Sequence, residues 1–292
     1  MANLKEIRNR ISSVSSTKQI TSAMKMVSAA KLRKSQSAIV QLRPYSKLME
    51  EMVGRLVDNV EDTTYLKPKK KEEKVLLVAL TSNKGLCSTF NSSVIKLTKQ
   101  RIDKYLAEGK QVYLQSYGKK GDSVFKRLDN IKYLGSDDEI WEGLSFERTS
   151  LLADKILKAY SKNIYDKVEI IYNQFKNAAV QEPVADSFLP FDVKNIKKEN
   201  DDSNSLQNNY IFEPNKKEIL KSIIPLFLNT KMYRCFLDSF TSEHGARMSS
   251  MNKATDNAQQ LLSDLTLTYN KLRQASITNE IIEICSGANA LS

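Results

Sequence analysis

From Phe240 to Ala275 the chain keeps one rhythm. Phe240, His244, Arg247, Met251, Ala254, Ala258, Leu261, Leu265, Thr268, Leu272 and Ala275 follow one another at alternating steps of four and three. Such a seam, held over several heptads, belongs to a helix that packs lengthwise on a second helix. The small side chains of Ala254, Ala258 and Ala275 let a partner backbone come close. Two seam positions, His244 and Arg247, are polar. This third part of the chain runs from about residue 215 to 292, and Pro225 is expected to kink it or to start its main helix.

The partner lies at the other end of the sequence. Leu4, Ile7, Ile11 and Val14 recur at 3-4-3 spacing, and Ile20, Met24 and Val27 resume the stripe after a polar break. Leu42, Tyr45, Met49, Met52 and Leu56 continue it, with no proline before Pro44 and a single glycine, Gly54. An Arg/Ser-rich, acid-poor beginning is also the composition of a transit peptide. A stripe sustained to residue 57 favours a structural helix. The two ends therefore predict an antiparallel coiled coil. Leu4, Ile7, Ile11 and Val14 read against Thr268, Leu265, Leu261 and Ala258, so that paired numbers sum to about 272. A slip of one heptad remains open.

Under that register the first helix begins beside about residue 270, and the last twenty or so residues, roughly 30 Å of helix, have no partner from their own chain. This segment contains "ITNEIIEICSGANA", whose Ile277, Ile281, Ile282 and Ile284 do not share one face. A helix that is apolar on several sides fits enclosure by a different protein.

Between the ends lies an expected α/β domain over residues 74–192. "VLLVAL" (Val75–Leu80), Gly109–Gly118 and Lys167–Phe175 read as strands, and Asn91–Ala107, Lys119–Leu128 and Phe146–Lys162 as helices. Their alternation predicts a parallel sheet. "VQEPVADSFLPF" adds an edge strand, where proline is best tolerated. The polar run Lys194–Asn209 cannot build a core.

Chemistry is hard to find in this sequence. "TSNKGLCSTFN" follows the first strand but has neither G-x-G-x-x-G nor G-x-x-x-x-G-K-[ST], and "YGKKGDS" has neither spacing. A plain strand-to-helix turn is the favoured reading. Cys87, Cys235 and Cys285 fit no metal or disulfide spacing, which suggests a reducing compartment. The only histidine, His244, lies on the long helix and reads as a packing or capping residue. No cofactor or metal is expected. The net charge is +11, and residues 1–57 hold 11 basic against 3 acidic residues. That points to an anionic partner. The absence of stacking aromatics around Ser12–Met26 favours an acidic protein over nucleic acid. No apolar run approaches the roughly 18 residues of a membrane span.

Three regions in order carry a family resemblance: "KEIRNRISSVSSTKQITSAMKMVSAAKLRKSQ" (Lys5–Gln36), "SEHGARMSSMNKATDNA" (Ser242–Ala258) and "RQASITNEIIEICSGANAL" (Arg273–Leu291). With "TSNKGLCSTFN", they make the chain resemble the gamma subunit of the rotary ATP synthase over essentially its full length. The resemblance implies an antiparallel coiled coil joined to a Rossmann-like α/β domain. It implies a non-catalytic rotor shaft turning inside a ring of alpha and beta subunits, above a c ring and an epsilon subunit. Ile277, Thr278, Glu280, Glu283, Gly287 and Ala288 match the family signature. By motif, Arg273 and Gln274 correspond to residues that engage a loop of beta. Met24 and Arg247 match positions near the acidic lever of beta, and Glu213 a position facing the c ring. Met24 and Arg247 stand side by side in the expected register. The lack of a presequence favours a bacterial protein, peripheral on the cytoplasmic face of the plasma membrane. Two other classes stay open: a nucleotide-dependent enzyme, which would need glycine-rich loops, and a nucleic-acid scaffold, whose binding would fall steeply with salt.

Overall fold

A computed structural model of the chain describes residues 4–57, 65–66, 69, 72–191 and 216–291. Helix α1 covers Leu4–Val57 and helix α5 covers Lys216–Leu291. Between them come β1 (Lys74–Leu80), α2 (Phe90–Ala107), β2 (Gln111–Tyr117), α3 (Lys119–Phe125), β3 (Lys132–Ser136), α4 (Phe146–Ser161), β4 (Lys167–Phe175) and β5 (Gln181–Leu189). By their contacts the residues form two units, Met1–Ala29 with Arg247–Ser292, and Ala30–Ala246. Each long helix thus contributes to both.

The second unit is built around a five-stranded sheet of order β3-β2-β1-β4-β5. β1 pairs in parallel with β2 and β4, β2 in parallel with β3, and β5 is antiparallel to β4. A central parallel strand covered on both faces should be apolar throughout, and after Lys74 every residue of "KVLLVAL" is apolar and buried. Leu76, Val78 and Leu80 point to one face, into a core with Met49, Val53 and Leu56 of α1, Ile156 and Tyr160 of α4, and Leu228 and Phe236 of α5. Val75, Leu77 and Ala79 point to the other, against Val94, Ile102 and Tyr105 of α2 and Phe125 of α3. The period of two along a strand makes this division.

β5 closes one edge, and its Pro183 sits there opposite Asn173. The Lys231 ammonium of α5 donates to Asp186 at 3.1 Å and to the Ser187 carbonyl at 2.8 Å, occupying part of that edge. β3 was not expected from the pattern. It is a five-residue edge strand without a fully buried position, too short and too polar for period two to stand out.

Pro225 does not start α5; it lies inside the helix. Its missing N–H leaves the Lys221 carbonyl without an intrahelical donor, and Lys221 is exposed to water. Pro44 is accommodated in α1 in the same way, four residues after Val40, which is 64% exposed.

Candidate functional site

The first unit is a helix pair, and hydrogen bonds fix its register. Lys18 donates to the Gln259 side-chain oxygen. Thr255 Oγ1 donates to Thr21 Oγ1 at 2.9 Å, and Lys25 Nζ to Asn252 Oδ1 at 2.5 Å. The paired numbers sum to 276 or 277. The expected sum of about 272 is therefore corrected by about one helical turn. Leu4 stands level with Leu272, and Ile7, Ile11 and Val14 with Tyr269, Leu265 and Leu262. Burial agrees: each of these side chains is buried or half-buried.

Two further corrections follow. On α5 the seam runs Met251, Thr255, Ala258, Leu262, Leu265, Tyr269 and Leu272, and Ser276 continues its spacing past the first described residue of α1. Leu261 is 47% exposed, and Thr268 and Ala275 are exposed too. Half the expected seam was displaced by one residue, because adjacent apolar pairs such as Leu261-Leu262 satisfy either spacing. On α1 the 3-4 rhythm continues from Val14 through Lys18, Thr21, Lys25 and Ser28 to Leu32. Ile20, Met26 and Val27 face outward, 60%, 64% and 58% exposed. Over this stretch the pair is polar inside and partly apolar outside.

Met24 and Arg247 are consequently not side by side. Met24 is level with about residue 252, and Arg247 with about residue 29, five residues or roughly 7.5 Å apart along the axis. Met24 is half-buried and Arg247 is buried.

Beyond Leu272, α5 has no partner from α1 among the described residues. Arg273 and Gln274 are exposed, and every residue from 277 to 289 is exposed. Ile277, Ile281, Ile282 and Ile284 are 48%, 55%, 55% and 71% exposed. Thr278, Glu280, Glu283, Gly287 and Ala288 share that surface. Isolated apolar side chains on a surface are ordinary; four within eight residues make this end a candidate contact site.

The family model described as ATP synthase matches residues 3–291. The ATP synthase gamma chain of Flavobacterium johnsoniae is 51% identical over 294 residues, covering 100% of both chains. That of Bdellovibrio bacteriovorus is 40% identical, covering 100% of this chain and 99% of the relative. The chain belongs to the ATP synthase gamma-chain family. Among solved structures, a chain of the central stalk and c ring of the Tetrahymena thermophila mitochondrial ATP synthase is similar with a TM-score of 0.59 at 25% identity, covering 80% of this chain and 99% of that one. A chain of the Euglena gracilis mitochondrial ATP synthase has the same fold, with a TM-score of 0.62 at 21% identity, covering 99% and 94%.

In this gamma-chain fold the sheet's own ligand position is filled. A doubly wound sheet binds ligands beyond the carboxyl ends of its strands, where the winding reverses. Here that point lies between β1 and β4. Ser242 Oγ of α5 donates to the Asn173 carbonyl of β4 at 3.0 Å. Ala246 packs with Cys87 and Phe90 of the turn after β1. A Cβ on Gly245 would lie 3.3 Å from the Ala178 Cα and 3.5 Å from the Phe175 ring. Helix α5 therefore plugs the crevice. The turn itself bonds inward: Asn91 accepts from the Ser82 N–H at 2.9 Å and donates to Ser82 Oγ at 2.8 Å. Cys87 is 2% exposed, and the His244 ring packs edge-on to Phe240 at 4.4 Å.

Glu213 and the polar run Lys194–Asn209 lie outside the described residues. The polar layers at Lys18, Thr21 and Lys25 escaped the sequence reading. Their signal was present in the unbroken 3-4 spacing, but the search followed apolar residues and so left the seam where it turns polar.

Proposed function

We propose that the chain is the central rotor shaft of an ATP synthase. Ion flow turns a c ring, the ring turns this chain, and the helix pair carries that rotation into a surrounding ring of alpha and beta subunits. ATP is made on those subunits, and this chain takes no part in the bond chemistry. The observation that carries the reading is the end of α5. From 277 to 289 every residue of the helix is exposed, with four isoleucines around its circumference, in a chain of the gamma family. Apolar side chains on several sides suit a socket that surrounds the helix. Burial of even half of their surface stabilises assembly by several kcal/mol, at roughly 1.5–3 kcal/mol for each fully buried side chain.

Within this reading Arg273 and Gln274 engage a loop of beta, and their exposure at the base of the tip leaves them free to do so. Met24 and Arg247 lie near the acidic lever of beta, at two different heights, with Arg247 buried against its own chain. Glu213 faces the c ring, and an epsilon subunit binds beside it. The 11 basic residues among the first 57 complement an acidic surface on beta. No helix among the described residues is long and apolar enough to cross a membrane, so attachment runs through the c ring, on the cytoplasmic face of a bacterial plasma membrane.

The test is assembly and coupling. A tagged chain expressed in its host should bring down alpha, beta and epsilon subunits, and vesicles carrying the complex should acidify on ATP addition. A chain cut before Gln274 should still bind epsilon but lose most of the ATP-driven acidification. Full acidification with the cut chain, or recovery of the tagged chain without ring subunits, would contradict the proposal.

A further inference from the structure

The apolar layers of the helix pair do not choose their own register. Leu4, Ile7, Ile11 and Val14 meet Leu272, Tyr269, Leu265 and Leu262 in the structure, yet a slip of one turn would offer them Thr268, Leu265, Leu261 and Ala258. Both sets are mostly apolar. The layers below them are different in kind. Lys18 reaches Gln259, Thr21 meets Thr255, and Lys25 reaches Asn252. The Asn252 amide also donates to Asp256 at 3.1 Å, which turns its oxygen toward Lys25. Each cation thus has an amide oxygen opposite it, and Thr21 Oγ1 accepts from Thr255 while donating to the Lys18 carbonyl at 3.0 Å.

A one-turn slip would undo all three pairs. Lys25 would come level with Arg247, Lys18 with Ala254 and Thr21 with Met251. Two cations would be brought level, Lys18 would lose its acceptor against an apolar side chain, and Thr21 Oγ1 would lose the Thr255 hydroxyl that donates to it. Part-buried polar groups without partners and like charges set level on a helix seam disfavour the slipped register, and a polar seam position is the best attested means of fixing register.

We propose that the polar section Lys18–Lys25 with Asn252–Gln259 is a register lock, which sets how far α5 extends beyond the start of α1. A slip of one turn would change the length of unpartnered helix by about 5.4 Å.

Cysteine pairs in the full-length chain, with Cys285→Ser as background, read the register. Val14→Cys with Leu262→Cys reports the observed one, and Val14→Cys with Ala258→Cys reports the slip. Under mild oxidant the first pair should close, and the second at least about tenfold more slowly. Combining Lys18→Met with Lys25→Met should speed closure of the slipped pair about fivefold or more. Exchanging the partners, Lys18→Gln with Gln259→Lys and Lys25→Asn with Asn252→Lys, should restore the parental ratio. An unchanged ratio in the methionine variant overturns the proposal, as does an exchange variant that behaves like the methionine one. Far-UV circular dichroism monitors helix content. Should the methionine variant lose helix, Lys25→Gln alone is read instead: a slipped-pair rate raised about twofold supports the lock, and an unchanged rate overturns it.

Discussion

Arg234 of α5 donates to Glu50 of α1 at 3.3 Å, while Asp238, one turn along on α5, receives no such bond from it. Both acids line a cleft of about 300 Å³ with Arg43 and Lys47. Asp238 is 7% exposed. Burial pushes its carboxyl up to about 6, against the opposing pull of Arg234 and Arg43.

The sign of the consequence is fixed by that direction. The folded chain holds the proton more tightly than the unfolded chain, so stability falls as pH rises from 3.8 to about 6 and then levels. Asp238→Asn removes the ionisation. Its unfolding free energy, measured by urea titration, should gain on the parent by on the order of 2 kcal/mol between pH 4 and pH 8. A difference that stays constant with pH would contradict this.

Gly245 is the point where α5 enters the crevice of the sheet. A Cβ there meets backbone at Ala178, which cannot swing aside as a long side chain could. Gly245→Val should destabilise the chain by about 1–3 kcal/mol through overpacking, despite the better helix propensity of valine over glycine. Exposed Gly287, with nothing near its Cβ position, should accept alanine with a gain of roughly 0.5–1 kcal/mol. Thermal unfolding of the two variants checks the pair of signs.

The sequence showed the helices and the parallel strands because each repeats its pattern over many residues. Lys167–Phe175 has the expected bounds. The register was harder, since Leu261 and Leu262 are equally apolar and only a hydrogen-bonded partner such as Asn252 separates two alignments of similar burial. The plug at Ser242, Gly245 and Ala246 was invisible for another reason. It depends on where α5 crosses the sheet, and no local pattern records that crossing. Of the proposed contact residues, Arg273 and Gln274 were readable as outward-facing, while the placement of Met24 beside Arg247 inherited the error in register.

Arg273→Ala and Gln274→Ala should each leave folding nearly untouched, because exposed helical positions change stability by about 0.5 kcal/mol or less. Coupled ATP synthesis in reconstituted vesicles should fall more, by the loss of a charge-assisted contact on the order of 1.5–3 kcal/mol for Arg273. Parental synthesis rates in a properly assembled complex would remove both residues from the contact with beta.

Amide hydrogen exchange of the end of α5 tests the shaft most directly. In the isolated chain Ile281–Cys285 is exposed and continues a helix with no partner beside it among the described residues. A short single helix is marginal in water, so these amides should exchange quickly. In the assembled complex they should be protected by at least about a hundredfold, as the surrounding ring closes over the isoleucines. Equal exchange in both states would mean that nothing encloses this end, and the chain would not be a shaft turning in a socket.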